Sequence, residues 1–263
     1  MDSKCLGSPE KVSVIINMID IYVINLDRQI ENYQKVADAM NELGGFNVQR
    51  VSAIDGKRGD HLPLVESETT WLCKETCPDS VIAIALSHKK VAQMILDSGV
   101  DYALVLEDDA IPIKDDFHEK IQRTLAEVPD DWDIINLFCQ GVCPKNSINM
   151  SLGGGSTVAI LVSRSGAQKI IDMKIKTHID FQTNFILRKY KSRYNLFETD
   201  ESDSTNRSTT LTPSANVKQF MMPNEHTIQY KFVKLFGFDW IFDDFLNFVI
   251  YLVGFFIILF FKL

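Results

Sequence analysis

The sequence predicts an α/β protein built on a mixed, mostly parallel sheet, and three observations carry that prediction. Apolar runs of strand length alternate with segments of helical period, each closed by its own stop signal. The strands are apolar almost throughout, the pattern of a sheet covered on both faces. One of them, residues 102–106, runs straight into Glu107, Asp108 and Asp109. Three carboxylates at the end of a buried strand repel one another and resist desolvation, so something must repay them there.

In chain order, residues 21–26 form the first strand. Ile30, Tyr33, Val36, Ala37, Met40 and Leu43 then recur at helical spacing until Gly44 and Gly45 end the helix. Residues 46–53 read as a second strand, closed by the turn signal Asp55-Gly56. After a loop containing Pro63 and Pro78, Asp79 and Ser80 offer an N-cap to a helix that reaches about Ser98, with Gly99 past its end. The acidic strand comes next. A helix from Asp115 or Asp116 carries Phe117, Ile121, Leu125 and Val128 on one face and stops at Pro129. Residues 133–138 and 156–163 are further strands on either side of a loop with Gly153, Gly154 and Gly155, and Ser163 caps a helix over 164–173.

Composition bounds the function. Of 263 residues, 46% are apolar and 24% charged, enough for a real core. A net charge of −8 argues against a nucleic-acid partner. The glycines at 153–155 lack a following Gly-Lys-Ser/Thr, so they give no phosphate-loop signal. Cys5 stands apart from two Cys-x3-Cys pairs, Cys73/Cys77 and Cys139/Cys143, which read first as free thiols, then as a zinc site or two short disulfides. Asn149 and Asn206 head glycosylation sequons, which matter only in a secretory lumen.

The chain divides into an extension over 1–17, a catalytic-type domain over 18–198, a polar linker over 199–237 and a membrane-associated segment over 238–263. No secretory signal is expected in the first residues. Residues 245–261 hold one Asn, one Gly and no charge. As a helix they reach about 25 Å, close to the thickness of a hydrocarbon core, and no face is polar. Only Lys262 and Leu263 lie beyond, so a spanning helix would insert after synthesis and leave the domain in the cytosol with reduced thiols.

An isolated acidic triplet reads more readily as a turn in which Asp108 or Asp109 caps the next few residues before Pro112. Its company is more specific. The blocks "YVINLDR" (22–28), "VSAIDG" (51–56), "AIALSHKKVAQMIL" (83–96), "ALVLEDDAIPI" (103–113), "DWDIINL" (131–137) and "GGGSTVAILVSRSGAQKII" (153–171) stand in an order that resembles glycosyltransferase family 25. That family includes lipopolysaccharide galactosyltransferases and is similar to collagen galactosyltransferases. The resemblance covers about residues 21–180.

It implies a GT-A type nucleotide-sugar-binding fold and an inverting transfer of a hexose, galactose from UDP-galactose, to a glycan or glycoconjugate hydroxyl. It implies a divalent metal, manganese or magnesium, held by Glu107 and Asp109. It assigns Asn25, Arg28, Asp55, Ser87, His88 and Asp108 to the nucleotide-sugar, and Asp180 to the base that takes the acceptor's proton. From the residues alone, Arg28 is equally a solvated helix start, Asp55 a plain turn residue and Asp180 a helix cap. Two other classes stay open: an inactive membrane adaptor that keeps the fold, and a magnesium-binding phospho-acceptor domain.

Overall fold

The computed structural model describes residues 18–139, 143–144, 148–149, 156–199, 231–235 and 238–241. The chain runs β1 (Ile19–Asn25), α1 (Ile30–Leu43), β2 (Phe46–Ser52), α2 (Val65–Glu68), α3 (Trp71–Thr76), α4 (Asp79–Ser98), β3 (Tyr102–Glu107), β4 (Ala110–Pro112) and α5 (Phe117–Glu127). It continues through β5 (Ile134–Asn136), β6 (Ile148–Asn149), β7 (Ala159–Ser163), α6 (Arg164–Asp172), α7 (Ile179–Ile186), β8 (Lys189–Lys191), β9 (Phe197–Thr199), β10 (Lys231–Leu235) and β11 (Phe238–Ile241).

Seven strands form one sheet in the order β2-β1-β3-β7-β5-β8-β6. Strict alternation decides which side each residue covers. Ile21 and Val23 of β1, with Leu104 and Leu106 of β3, pack under Val36, Met40, Phe117 and Ile121 of α1 and α5. Tyr22, Ile24, Ala103 and Val105 face the other way, against Val81, Ala85, Val91 and Ile95 of α4 and Ala167 and Ile170 of α6. Near-continuous apolar strands are therefore sandwiched between two helical layers, as expected.

The sheet is mixed, but it is not mostly parallel. Ladders β1/β2, β1/β3 and β5/β8 are parallel, whereas β3/β7, β5/β7 and β6/β8 are antiparallel. Two of the antiparallel ladders come from β7, which runs back between β3 and β5, and the third from β6 at the sheet edge. An apolar run specifies burial on both faces but carries no mark of direction, so the sequence pattern could not show this reversal.

Several local expectations are corrected. The turn after β3 breaks extended geometry at Asp108 and Asp109, so Glu107 and Asp109 are not related by strand alternation. Pro78, not Asp79 or Ser80, precedes the first turn of α4, and no side chain caps it. Ser163 does cap α6, accepting from Gly166 N at 3.0 Å. The cysteines pair as disulfides Cys73–Cys77 and Cys139–Cys143, where free thiols were the first expectation; each pair sits with Cα atoms 4.7 and 5.3 Å apart, within bridging range. In the segment expected to be linker and membrane tail, β10 and β11 pair as an antiparallel hairpin. Among the described residues no helix is long and apolar enough to cross a membrane. The run 245–261, the extension 1–17, the glycines at 153–155 and Asn206 lie outside the described residues.

Candidate active site

A cleft of about 250 Å³ opens at the carboxyl ends of β1 and β3. Arg28, Asp55, Ser87, His88, Glu107, Asp108, Asp109 and Asp180 all line it. Eight of the nine residues singled out in the sequence thus reach one place, and the ninth, Asn25, lies just beneath.

Asn25 is the last residue of β1 and is fully buried. Its amide nitrogen donates to Gln29 O at 2.7 Å and to Asp108 Oδ2 at 2.6 Å, while its Oδ1 accepts from Arg50 Nε at 2.8 Å. All its polar capacity is used internally, so it positions Asp108 rather than facing a ligand. The carboxyl of Asp108 is strongly perturbed. Burial pushes it up to about 6, and the charge of Glu107 adds to that, while the Asn25 amide pulls it back down.

Arg28 and Asp55 form an ion pair across the cleft mouth. Asp55 also accepts from Lys57 N at 2.9 Å, so it closes the turn that the Asp-Gly signal predicts while lining the cleft. Gly56 is forced by closeness rather than by φ: a Cβ there would stand 2.9 Å from Asp79 O. Ser87 donates to Ala83 O at 2.8 Å and accepts from Ile54 N at 2.9 Å, fixing the loop that presents Asp55.

His88 lies one residue further along α4, 3% exposed. Its Nε2 lies 3.6 Å from Glu107 Oε1, beyond hydrogen-bond range, and has no hydrogen-bond partner among the described residues. Strand alternation explains the meeting, because Glu107 continues the Ala103–Val105 face toward α4.

On the far wall stands Asp180, in the first turn of α7. Its Oδ1 accepts from Thr157 N at 2.9 Å and from Thr157 Oγ1 at 2.6 Å. His178 Nδ1 is 3.4 Å from its Oδ2. The N-cap position of α7 is His178, with no side-chain cap bond, so Asp180 is not the cap of its own helix. Behind it, Lys189 of β8 is buried and donates to Thr183 Oγ1 at 3.2 Å. Burial pushes its ammonium down to about 8, partly offset by the charge of Asp180.

Thr157, His178 and Lys189 escaped the sequence reading. Thr157 lies in the "GSTVAIL" block, but only the antiparallel return of β7 sets the start of that strand opposite the end of β3, with Glu107 N donating to Val158 O at 2.8 Å. The described residues hold no group of three or more His, Cys, Asp or Glu that forms a metal site by itself.

An α/β sheet with a carboxylate-lined cleft at its strand ends defines a ligand-binding protein of the doubly covered α/β class. The particular class comes from comparison. Residues 18–149 match the family model "Glycosyltransferase family 25 (LPS biosynthesis protein)", and the chain belongs to that family of glycosyltransferases. A "Glycosyltransferase 25 family member" from Aedes aegypti is 27% identical over 175 residues, 59% of this chain and 28% of the relative. The chain therefore spans under a third of that relative's length.

Looser likenesses are found among solved structures. One is a glycosyltransferase involved in the glycosylation of the major capsid of PBCV-1, at 11% identity and a TM-score of 0.35 over 58% of this chain and 63% of that one. A197 from STIV shows 13% identity and a TM-score of 0.37 over 68% and 83%. HddC from Yersinia pseudotuberculosis, complexed with GMP-PN, shows 11% identity and a TM-score of 0.35 over 69% and 93%. Family membership rests on the sequence match and not on these likenesses.

Proposed function

We propose that this chain transfers a hexose, galactose, from a nucleotide-diphosphate sugar such as UDP-galactose to a hydroxyl of a glycan or glycoconjugate, with inversion at the anomeric carbon. The observation that carries the reading is the convergence of Arg28, Asp55, His88, Glu107, Asp108, Asp109 and Asp180 on one cleft. His88 supports it further: a buried ring nitrogen with no hydrogen-bond partner suits a donor hydroxyl or phosphate oxygen.

Asp180 stands across the cleft from the acidic turn and serves as base. Its Oδ2 takes the proton of the acceptor hydroxyl as that oxygen bonds the anomeric carbon, and the bond from that carbon to the diphosphate breaks on the opposite face. Thr157 engages only Oδ1, and Oδ2, with His178 Nδ1 3.4 Å away, is the oxygen that serves this task.

The residues present fit a divalent cation held jointly with the donor. Magnesium and manganese take hard oxygens and are commonly held by one or two carboxylates plus substrate phosphates. Glu107 and Asp109 offer such oxygens, and three carboxylates side by side at one strand end carry a negative charge that a cation would relieve. When bound, the ion neutralises the charge that develops on the departing diphosphate. Glu107 and Asp109 would hold the ion, and the phosphates would meet these carboxylates only through it; Asp108, Arg28 and Asp55 would orient the rest of the donor.

Release of UDP from UDP-galactose, with and without manganese, tests the reading. Asp109→Asn is expected to abolish metal-dependent donor binding with the fold intact. Asp180→Asn is expected to cut turnover by roughly 10²–10⁴-fold with donor affinity kept. No turnover of any nucleotide-sugar would favour an adaptor that keeps the fold without the chemistry.

Membrane attachment through 238–263 and a cytosolic domain belong to the same proposal, supported by the uncharged run 245–261. The disulfides Cys73–Cys77 and Cys139–Cys143 pull the other way, since such bonds persist in oxidising compartments. Thiol titration of the protein isolated under alkylating conditions separates the two: four reactive thiols at these positions support the cytosol, none a lumen.

A further inference from the structure

We propose that Thr157 is the positioning residue of the catalytic base, clamping one oxygen of Asp180 so that the base faces the acceptor in a single rotamer. The proposal rests on Asp180 being the base. Three observations carry it. Thr157 is 1% exposed, so its hydroxyl has no water to serve and its contacts are its purpose. Its backbone N–H and its Oγ1 both meet the same atom, Asp180 Oδ1, at 2.9 and 2.6 Å. The same Oγ1 lies 2.8 Å from Glu107 Oε1, but a hydroxyl has one proton to give and the shorter contact is the one to Asp180, so the clamp is on the base and Glu107 is its neighbour at the end of β3.

A carboxylate held at one oxygen by two donors from a single residue loses free rotation about its Cβ–Cγ bond. Its other oxygen, Oδ2, then keeps a fixed direction, which is what proton acceptance in a near-attack geometry needs. Thr157 is itself held through its neighbour Val158. Glu107 ends a central strand, and its own N–H is held by Val158 O at 2.8 Å, one residue beyond Thr157. Serine can make both contacts and valine can make only the backbone one, so the two variants separate the hydroxyl from the volume.

The test compares Thr157→Val, Thr157→Ser, Asp180→Asn and the double variant Thr157→Val/Asp180→Asn, using UDP-galactose with manganese in the full chain. Thr157→Val is expected to lower kcat by roughly 10–100-fold, with donor KM within about twofold, because orientation and not binding is lost. Thr157→Ser is expected to recover most of that loss. In the Asp180→Asn background the valine substitution is expected to cost nothing further, since it acts only through the base. A merely structural threonine would give full additivity in that cycle and no recovery by serine, and either result overturns the proposal. So does a loss confined to donor KM, which would place the effect at Glu107 alone. Wild-type kcat in Thr157→Val beside an impaired Asp180→Asn overturns the clamp and leaves the base standing. An unimpaired Asp180→Asn overturns both.

Discussion

Gly166→Ala is a single methyl group placed where the backbone of another element already is. Gly166 lies in the first turn of α6, and a Cβ there would stand 2.2 Å from Asp133 O and 2.9 Å from Asp133 C. An ordinary carbon–oxygen contact is about 3.3 Å, so α6 must retreat by roughly 1 Å from the start of β5. That retreat strains Ser163 N to Asp133 O at 3.0 Å, the cap bond from Gly166 N to Ser163 Oγ at 3.0 Å, and the contacts of Lys169 Nζ with Asp133 at 2.6 and 2.7 Å. Overpacking of this kind costs about 1–3 kcal/mol, and each weakened bond up to about 1 kcal/mol. Alanine's better helix propensity returns about 1 kcal/mol. A net loss of about 2–4 kcal/mol is expected, read as a fall of roughly 5–15 °C in Tm for a domain of this size. Thermal melting followed by circular dichroism checks it. An unchanged or raised Tm would show that α6 relaxes freely against β5, and the packing argument would fall.

Two further predictions concern buried charge. Burial pushes the Asp133 carboxyl up, but the Lys169 ammonium, Arg188 N–H and Ser165 hydroxyl outweigh it, and the carboxyl ends below its ordinary 3.8. A carboxyl lowered in the fold contributes stability that is complete above the ordinary value and is lost as pH falls through the lowered one. Urea midpoints are therefore expected to drop below about pH 4 in the wild type. In Asp133→Asn the unfolding free energy from those curves should be lower by about 2–3 kcal/mol at neutral pH, and its pH dependence flatter toward acid. Lys189 is the opposite case, pushed down to about 8 by burial. A lysine lowered in the fold costs stability fully below that value, and the cost fades as pH rises toward the unfolded value of 10.5. Lys189→Met is expected to stabilise by about 1–3 kcal/mol at pH 7, with the gain gone above about pH 10. A lower midpoint in Lys189→Met would mean that the pairing with Asp180 outweighs desolvation.

The sequence by itself determined what local physics determines. Periodic apolar residues placed α1, α4, α5 and α6 and the strands β1, β2, β3, β5 and β7, because side-chain spacing and caps are set within a few residues. The acidic turn was legible because carboxylates at the end of an apolar strand demand a reason, and ordered motifs then supplied the family, which the match over 18–149 bears out. Tertiary structure decided the rest. Alternation says which face Glu107 takes, but not that His88 waits on that face at 3.6 Å. It says nothing of whether β7 runs with β3 or against it, and that direction alone brings Thr157 to Glu107 across 50 residues of sequence and to Asp180 across 23. The cysteine spacing left thiols, zinc and disulfides open, and only the pairwise approach of Cys73 to Cys77 and of Cys139 to Cys143 chose among them. Spacing and polarity are properties of neighbours in the chain. The partners of a side chain across a sheet depend on strand order and direction, which the core fixes through packing summed over the whole domain.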